Sequence, residues 1–328
     1  MDEVFARRDL IEPAVLRALC TRSDRAGLLQ LGSHLAAVGV TGAGIAATLG
    51  TLWVVPVFVL HGVLINFLYA AQHETSHYTA FRSRWLNEAV GRAIGFFLLY
   101  PRDFDQIQHY AHHRHTQDWA RDGELERPPF GRASYLLWLL GATYWTSRAG
   151  RIVRFAGGRV SEHYIPPARH GLVIREARWH VAGYALIAAG SVAAGSTAAL
   201  LYWLAPMLLT KAAHQLQNTI EHLGMPHVGD VLRNTRSTRT GRAMRWLCWN
   251  MQYHTAHHAF PGVPFHRLPQ LHARLFTDRG TAPPSMGYFA FQRAVLRALA
   301  RGRSEADYPR DRAWIAESGA RSESSARP

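Results

Sequence analysis

Cysteine and lysine are nearly absent from this chain of 328 residues. Cys20 and Cys248 are its two cysteines and Lys211 is its single lysine. Two distant cysteines do not predict a disulfide framework, and they cannot form an ordinary four-cysteine iron–sulfur site. Any metal would therefore be held mainly by imidazole. Residues 1–10 mix both charges and lack an apolar core, so they do not predict a signal peptide.

The positive charge comes almost entirely from arginine. The formal net charge is +14, which is typical of proteins that bind nucleic acid or an anionic membrane surface. The arginines lie in segments between apolar stretches and show no interleaved aromatic platform, so the pattern does not favour a nucleic-acid partner. A lipid bilayer is the partner that we expect.

The apolar stretches predict an all-α integral membrane protein. A bilayer core of ~30 Å needs about 20 apolar helical residues, and about 17 at the least. Four predicted spans meet this requirement: 27–49, 51–71, 179–195 and 197–213. The last two divide one long stretch, which has Gly195 and Ser196 near its middle. Pro56 lies within the second span, where a membrane helix tolerates it.

Arginine placement predicts the orientation of these spans. The connections near residue 50 and at 190–197 have no arginine, whereas segment 72–178 and both ends of the chain are rich in it. The positive-inside rule then places both termini and segment 72–178 in the cytoplasm. The alternative is a soluble protein with apolar core helices, but the predicted spans are apolar around most of the helix surface.

Two further apolar stretches are too short to cross a bilayer. Stretches 89–101 and 134–146 would each cover only ~20 Å as helices. We interpret them as interfacial or re-entrant helices. With that assignment, every histidine run described next lies on the cytoplasmic face.

Three short runs place histidines at helical spacing. Residues three or four apart share one helix face, so the histidines within each run point the same way. The second and third runs end in adjacent histidines that straddle this face and could reach two metals. The runs contribute eight histidines: His73, His77, His109, His112, His113, His254, His257 and His258.

A fourth element follows the last predicted span. His214, Asn218 and His222 are four residues apart and share one helix face. We expect His222 to be a ninth ligand and Asn218 to hold a metal-bound water. A polar helix end with ordinary hydrogen bonds would account for this element equally well.

Several kinds of metal site are compatible with parts of this pattern. Residues 73–77 also match H-E-x-x-H, the zinc-protease motif with Glu74 as base. A hydrolytic zinc site needs three protein ligands, which would leave most of these histidines unused. Soluble di-iron bundles use carboxylates and two Glu-x-x-His repeats, whereas one occurs in these runs. Two irons held by about nine imidazoles use the whole set, and unlike zinc they support oxidative C–H cleavage.

These motifs resemble those of the membrane fatty acid desaturase and hydroxylase superfamily, in its bacterial three-histidine-box branch. The resemblance covers about residues 20–275. It is carried by residues 73–91, 109–125, 217–222 and 250–272. It implies four transmembrane helices in a bundle beneath a helical cytosolic cap that holds a di-iron site. It also implies that the eight histidines of the boxes and His222 bind the metals, with Asn218 acting through water.

The resemblance further implies an oxygen-dependent desaturase that acts on an acyl chain or similar aliphatic substrate. The cofactors would be two iron ions (Fe2+/Fe3+), with O2 as co-substrate and electrons from a small carrier such as ferredoxin. A hydroxylase or ketolase would share every motif. Glu74, Asp118 and Glu221 are candidate partners of the ligand imidazoles, and each could instead pair with an arginine.

The expected location is a bacterial inner membrane, with termini and active site cytoplasmic. The expected domain organisation has four parts: a cytosolic N-terminal segment 1–26, a desaturase domain 27–275, an amphipathic interfacial helix within 276–303, and a disordered tail 304–328. The composition of the tail predicts that truncation after Arg303 leaves activity intact.

Overall fold

The computed structural model describes residues 10–125, 127–307 and 311–315, and it is mostly helical. Nine helices precede the turn at 194–197: α1 (Pro13–Leu19), α2 (Asp24–Thr48), α3 (Val54–Phe67), α4 (Tyr69–Ser76), α5 (Arg84–Phe97), α6 (Arg102–His115), α7 (Arg132–Leu139), α8 (Ala142–Ala156) and α9 (Pro167–Ala193). Seven follow it: α10 (Ala205–Leu209), α11 (Lys211–His222), α12 (Val231–Asn234), α13 (Arg242–Leu247), α14 (His254–Ala259), α15 (Leu268–Leu275) and α16 (Tyr288–Ala300).

Strands are almost absent from the described residues. β1 (Ser237–Thr238) and β2 (Ser285–Met286) pair in parallel, with Ser237 opposite Ser285. Parallel strands need a long crossover connection, and here α13, α14 and α15 lie within it. The short sheet therefore ties the helices of the third histidine run to the C-terminal helix α16.

Two helical stretches in the described part of the chain have the length and composition of membrane-crossing helices. They are α2 and the stretch Val54–Ser76, which comprises α3 and α4. Neither stretch predicted as the third or fourth span meets the same criterion. α9 starts at Pro167, twelve residues earlier than predicted, and includes Arg175 and Glu176. The predicted fourth span is divided among a π-helical turn Leu200–Leu204, α10 and the start of α11.

Two prolines shape the apolar helices. Pro56 lies near the start of the stretch Val54–Ser76, in the first turn of α3, where its missing N–H costs no helical hydrogen bond. Pro206 has no N–H to donate to the carbonyl of Tyr202, four residues earlier. That carbonyl oxygen lies 2.9 Å from Nε2 of His61 on α3. The break in the helix is therefore compensated by a side chain of its neighbour.

α3 packs against α10 at very short range because Gly62 has no side chain. A Cβ atom at this position would lie 2.3 Å from the carbonyl oxygen of Pro206. Asn66, one turn later, donates through Nδ2 to the carbonyl oxygen of Met207 at 2.8 Å and to Oγ1 of Thr210 at 3.1 Å. These contacts satisfy backbone where the helix is interrupted, which an apolar environment requires.

The last helix, α16, turns its apolar face inward. Phe291, Val295 and Leu299 are buried and belong to one core cluster with Tyr135 of α7 and Ile220 of α11. This face therefore packs on α11, which carries His222. Placement of α16 at a membrane surface stays a prediction.

Part of the predicted disordered tail is packed against the rest of the protein. Glu305 pairs with Arg127 at 2.9 Å, and Trp314 and Ile315 are buried. The carbonyl oxygen of Ile315 accepts a hydrogen bond from Nη2 of the buried Arg236. The prediction is wrong for residues 304–307 and 311–315. The tail is polar on average, but two of its apolar side chains, Trp314 and Ile315, are buried, and Glu305 pairs with an arginine far away in the sequence. The rest of the tail lies outside the described residues.

Candidate metal centre

The structure brings the histidine runs together from four helices. The first group of imidazoles combines all three runs, and its nitrogens lie within 4.8 Å of one another: His73, His77, His109, His113 and His257. The second group meets the same distance criterion and includes a histidine of α11: His112, His222 and His258. Each pair of adjacent histidines in α6 and α14 is divided between the two groups. Two neighbouring sites therefore share the same two helices.

The ring nitrogens converge at distances that suit metal ligands. Nε2 of His109 lies 2.8 Å from Nε2 of His77 and 3.0 Å from Nε2 of His113. In the second group, Nε2 of His112 lies 3.1 Å from Nε2 of His222. With metal–imidazole distances of about 2.1 Å, ligands at right angles are about 3 Å apart. The donor set therefore fits a pair of metal ions.

Unpartnered buried nitrogens point to the same conclusion. Among the described residues, both ring nitrogens of His73 and Nε2 of His258 are buried without a hydrogen-bond partner. Buried polar atoms are nearly always hydrogen-bonded, because leaving one unpaired costs about 1–3 kcal/mol. The rings of His113 and His258 stack at 4.2 Å between centroids, which places the two groups side by side.

His254 and Asn218 lie at the margin of the second group. Nε2 of His254 is 2.6 Å from Nε2 of His222, and its ring centroid is 4.5 Å from that of His258. Asn218 is half-buried and lines a cavity together with His222 and His254. Both residues can therefore reach a ligand held in that cavity.

A buried acid fixes the first histidine helix against the second. Asp105 of α6 accepts hydrogen bonds from Nε2 of Gln72 at 3.1 Å and from Oγ of Ser76 at 3.2 Å, both on α4. Glu176 of α9 accepts from the backbone N–H groups of Asp103 at 3.0 Å and Phe104 at 3.2 Å. These N–H groups belong to the first turn of α6 and have no partner within the helix.

Two of the three acids expected beside the imidazoles lie there. Glu74 ties the first run to the chain after the third, because its Oε2 accepts from Oγ1 of Thr79 at 2.7 Å and from the N–H of Phe265 at 3.1 Å. Its Oε1 lies 3.9 Å from Nδ1 of His73. Glu221 has an oxygen 3.5 Å from Nδ1 of His254.

Asp118 forms an ion pair with an arginine, which was the alternative to contacting a ligand imidazole. Its carboxylate pairs with Arg121 at 2.6 Å and caps the N–H of Ala120. The carboxylates that contact the second run come instead from the following turn. Asp122 Oδ1 lies 2.9 Å from Nδ1 of His112, and Glu124 Oε1 lies 2.9 Å from Nδ1 of His109. Such contacts fix the ring orientation and leave Nε2 to face a metal.

Sequence reasoning missed Asp122 and Glu124. They stand ten and fifteen residues after their histidines, beyond the three- or four-residue spacing of a helix face. The signal that could have found them is the acidic pair in the sequence D-G-E at 122–124, which begins nine residues after the second run, at a turn that folds back on α6.

Burial and charge set the protonation of the cluster. Desolvation lowers the pKa values of His113, His257 and His258 well below the usual range, which favours the neutral imidazole that binds metals. Burial alone would also lower the pKa of His112, but the charges of Asp122 and Glu124 outweigh it and raise that pKa to about 9.

A cavity of about 450 Å3 opens onto the histidine cluster. Its wall includes five histidines of the cluster: His73, His109, His112, His222 and His254. Aromatic side chains from three helices and from the connection between α5 and α6 extend the wall: Tyr69, Tyr100, Trp138 and Tyr144. This volume is within the range of small-molecule sites. A cavity with aromatic walls that reaches a cluster of histidines can place a small molecule next to a metal ion held by those histidines.

Comparison with known proteins identifies the family. The fatty acid desaturase family matches residues 50–290, so the chain belongs to that family. It is 23% identical over 254 residues to an sn-1 oleoyl-lipid 12-desaturase of Picosynechococcus sp., covering 69% of this chain and 70% of the relative. It is 24% identical over 247 residues to the Delta(5) fatty acid desaturase fat-4 of Caenorhabditis elegans, covering 65% of this chain and 55% of the relative.

Family membership carries the general conclusions about activity. It supports a desaturase-like oxidoreductase function with a lipid or acyl substrate. Together with α2 and the stretch Val54–Ser76, it indicates a membrane protein.

Proposed function

We propose that this protein is an oxygen-dependent di-iron desaturase that introduces a double bond into an acyl chain or a similar aliphatic substrate. The observation that carries this proposal is the convergence of eight histidines into two adjacent groups, with His254 beside the second group, next to an aromatic-lined cavity. Redox-inert zinc would not use such a set, and the family is one of oxidoreductases.

The ligand assignment follows from the two groups. His73, His77, His109, His113 and His257 would hold one iron. His112, His222 and His258 would hold the other, with His254 completing its ligands and Asn218 acting through a bound water. When bound, the iron pair supplies the oxidising power that removes hydrogen from an unactivated C–H bond with O2 as co-substrate.

The protein's own residues position the substrate and the ligands. Asp122 and Glu124 hold the imidazoles of His112 and His109 in orientation, and an oxygen of Glu221 lies 3.5 Å from Nδ1 of His254. The rings of Tyr69 and Tyr100 stack with 5.8 Å between centroids and form part of the cavity wall next to His73. A methylene group lying against this wall would be kept from water while it is oxidised.

Two alternatives use the same residues differently. A hydroxylase or ketolase would share the whole site, and product mass separates it from a desaturase. A zinc protease would need Glu74 as a base facing water, but Glu74 is fully buried and its Oε2 accepts two hydrogen bonds. These hydrogen bonds favour a role for Glu74 in holding the first histidine run in place rather than in activating water.

The membrane arrangement completes the proposal. Four spans would surround the apolar part of the substrate beneath the histidine cap, with the site and both termini on the cytoplasmic side of a bacterial inner membrane. Electrons would arrive from a small acidic carrier such as a ferredoxin, because the arginine-rich segments would attract it. No role in nucleic-acid binding is proposed.

The test of this function is metal content followed by product analysis. Purified protein should contain about two irons per chain, as expected for paired imidazole sites. Cells that express it should gain lipids or metabolites lighter by two hydrogens, and only with oxygen present. Stoichiometric zinc in place of iron, or activity without oxygen and reductant, would contradict the proposal.

The acids of the turn after α6 offer a matched pair of variants. Asp122→Asn should weaken Fe2+ binding by about 10- to 100-fold, because the carboxylate orients a ligand imidazole. Asp118→Asn makes the same chemical change in a surface ion pair and should alter Fe2+ binding less than about threefold. Anaerobic titration against a chelator measures both constants, and equal effects would remove Asp122 from its assigned role.

A further inference from the structure

One buried arginine in the cavity wall forms no ion pair with any acid that the structure describes. Arg148, on α8, lines the cavity and is only 8% exposed. Within the described part of the chain, its Nη1 atom has no hydrogen-bond partner, and the guanidinium forms no ion pair. Its carbon Cζ lies 3.0 Å from the centroid of the Tyr100 ring and 4.7 Å from that of Tyr144. The guanidinium is thus held by aromatic rings rather than by an anion.

A second basic side chain lies against the same tyrosine. Nζ of Lys211 is 3.8 Å from the centroid of the Tyr144 ring, and Lys211 is buried. Its nitrogen lies 3.0 Å from Nδ1 of His214. The ring of Tyr144 is therefore contacted by two basic side chains, Arg148 and Lys211, and Lys211 is the single lysine of the chain.

The other arginines of this cavity wall are paired. Arg151 contacts Glu162 at 3.2 Å, and Arg127 contacts Glu305 at 2.9 Å. The acid whose charge acts most on Arg148 is Asp105. Its Oδ2 is already engaged by Gln72 and Ser76.

Burying a charge without an ion-pair partner costs free energy of folding. An anionic ligand that pairs with Arg148 would remove this cost, which favours its binding. The cavity also connects Arg148 with the histidine cluster. Arg148 stacks on Tyr100, Tyr100 stacks on Tyr69, and the Tyr69 ring centroid is 6.4 Å from that of His73. Only two tyrosine rings separate the guanidinium from the nearest proposed ligand.

We propose that Arg148 binds a free carboxylate on the substrate, so that the substrate is an acid rather than an ester-linked lipid. A guanidinium presents paired N–H donors that match a carboxylate in charge and geometry. The aliphatic part of the acid lies along Tyr100 and Tyr69, with its reactive carbons beside His73. This inference rests on the proposed function and narrows its substrate class.

Direct binding tests the carboxylate site without turnover. Iron-loaded full-length protein in neutral lipid nanodiscs is titrated by calorimetry with octanoate, methyl octanoate and octyl phosphate, without reductant. We expect octanoate to bind at least about tenfold tighter than the ester, because a hydrogen bond to a charged group contributes that much. Equal affinity for acid and ester, or tighter binding of the phosphate, would overturn the proposal.

Variants assign the effect to one arginine. Arg148→Gln should weaken octanoate binding by about 10- to 100-fold, and Arg148→Lys should weaken it less because the charge remains. Arg151→Gln removes the same charge from a paired arginine of the same wall and should change affinity less than about threefold. Equal losses in Arg148→Gln and Arg151→Gln would contradict the assignment. If Arg148→Gln does not fold, the acid–ester comparison on the unmodified protein decides.

The two hypotheses fail in different ways. Oxygen-dependent desaturation of an ester-linked lipid, together with equal binding of acid and ester, would overturn the carboxylate site and leave the proposed function standing. Tight, Arg148-dependent binding of octanoate by a protein that contains no iron and consumes no oxygen would support the carboxylate site and overturn the proposed function.

Discussion

Replacing His112 or His257 by alanine should abolish turnover while the protein still inserts in the membrane. Each variant removes one imidazole from a different group, His112 from the second and His257 from the first. We expect iron content to fall from about two to about one per chain or less, since metal affinity depends on ligand count. Turnover should drop by more than about 100-fold, because losing a ligand is more damaging than losing a residue that only hydrogen-bonds to a ligand.

The control for this experiment is an exposed histidine. His163→Ala removes the same ring from a position outside both groups and should keep iron and activity. Iron analysis, product mass and the amount of protein in the membrane fraction are measured for all three variants. Full activity of His112→Ala or His257→Ala would exclude that residue from the metal centre.

Truncation after Arg303 should strongly destabilise the protein, which reverses the expectation from composition. The truncation removes Glu305, Trp314 and Ile315, all buried. It leaves Arg236, which is 2% exposed, without the carbonyl of Ile315, and Arg127 without its acid. Losing a buried tryptophan alone costs about 3–5 kcal/mol, and the loss of one hydrogen bond of the buried Arg236 adds to that.

A truncation after Ile315 is the matched comparison, because it keeps every contact just described. The midpoints of thermal unfolding of the two shortened proteins are measured in the same detergent and compared. We expect the midpoint of the shorter one to be lower by several degrees or more. Equal midpoints would mean that the packed part of the tail contributes nothing to stability.

Histidine spacing was the most informative local signal for this site. Residues three or four apart on a helix share a face, so each run could be recognised from the sequence without knowing the fold. The structure brings all nine of these histidines into one cluster. Hydropathy likewise located α2 and the stretch Val54–Ser76, because length and composition are properties of a continuous segment.

Local patterns were less informative about helix boundaries and partners. The predicted third span starts within α9, because Arg175 and Glu176 interrupt hydropathy but not helix formation. Glu176 is buried where it caps α6, a role that depends on a helix more than seventy residues earlier. Asp118 and Asp122 have the same side chain and lie four residues apart, yet only Asp122 reaches His112.

The sequence by itself determined the family, the mainly helical character, the two apolar helices and the histidines that form the cluster. These follow from residue type and from spacing along one continuous segment. The tertiary structure alone decided how the histidines divide into two groups, which acids orient them, that the described part of the tail is packed and that Arg148 forms no ion pair with a described acid. Each of these depends on distances between residues far apart in the chain, which no periodicity within one helix can specify.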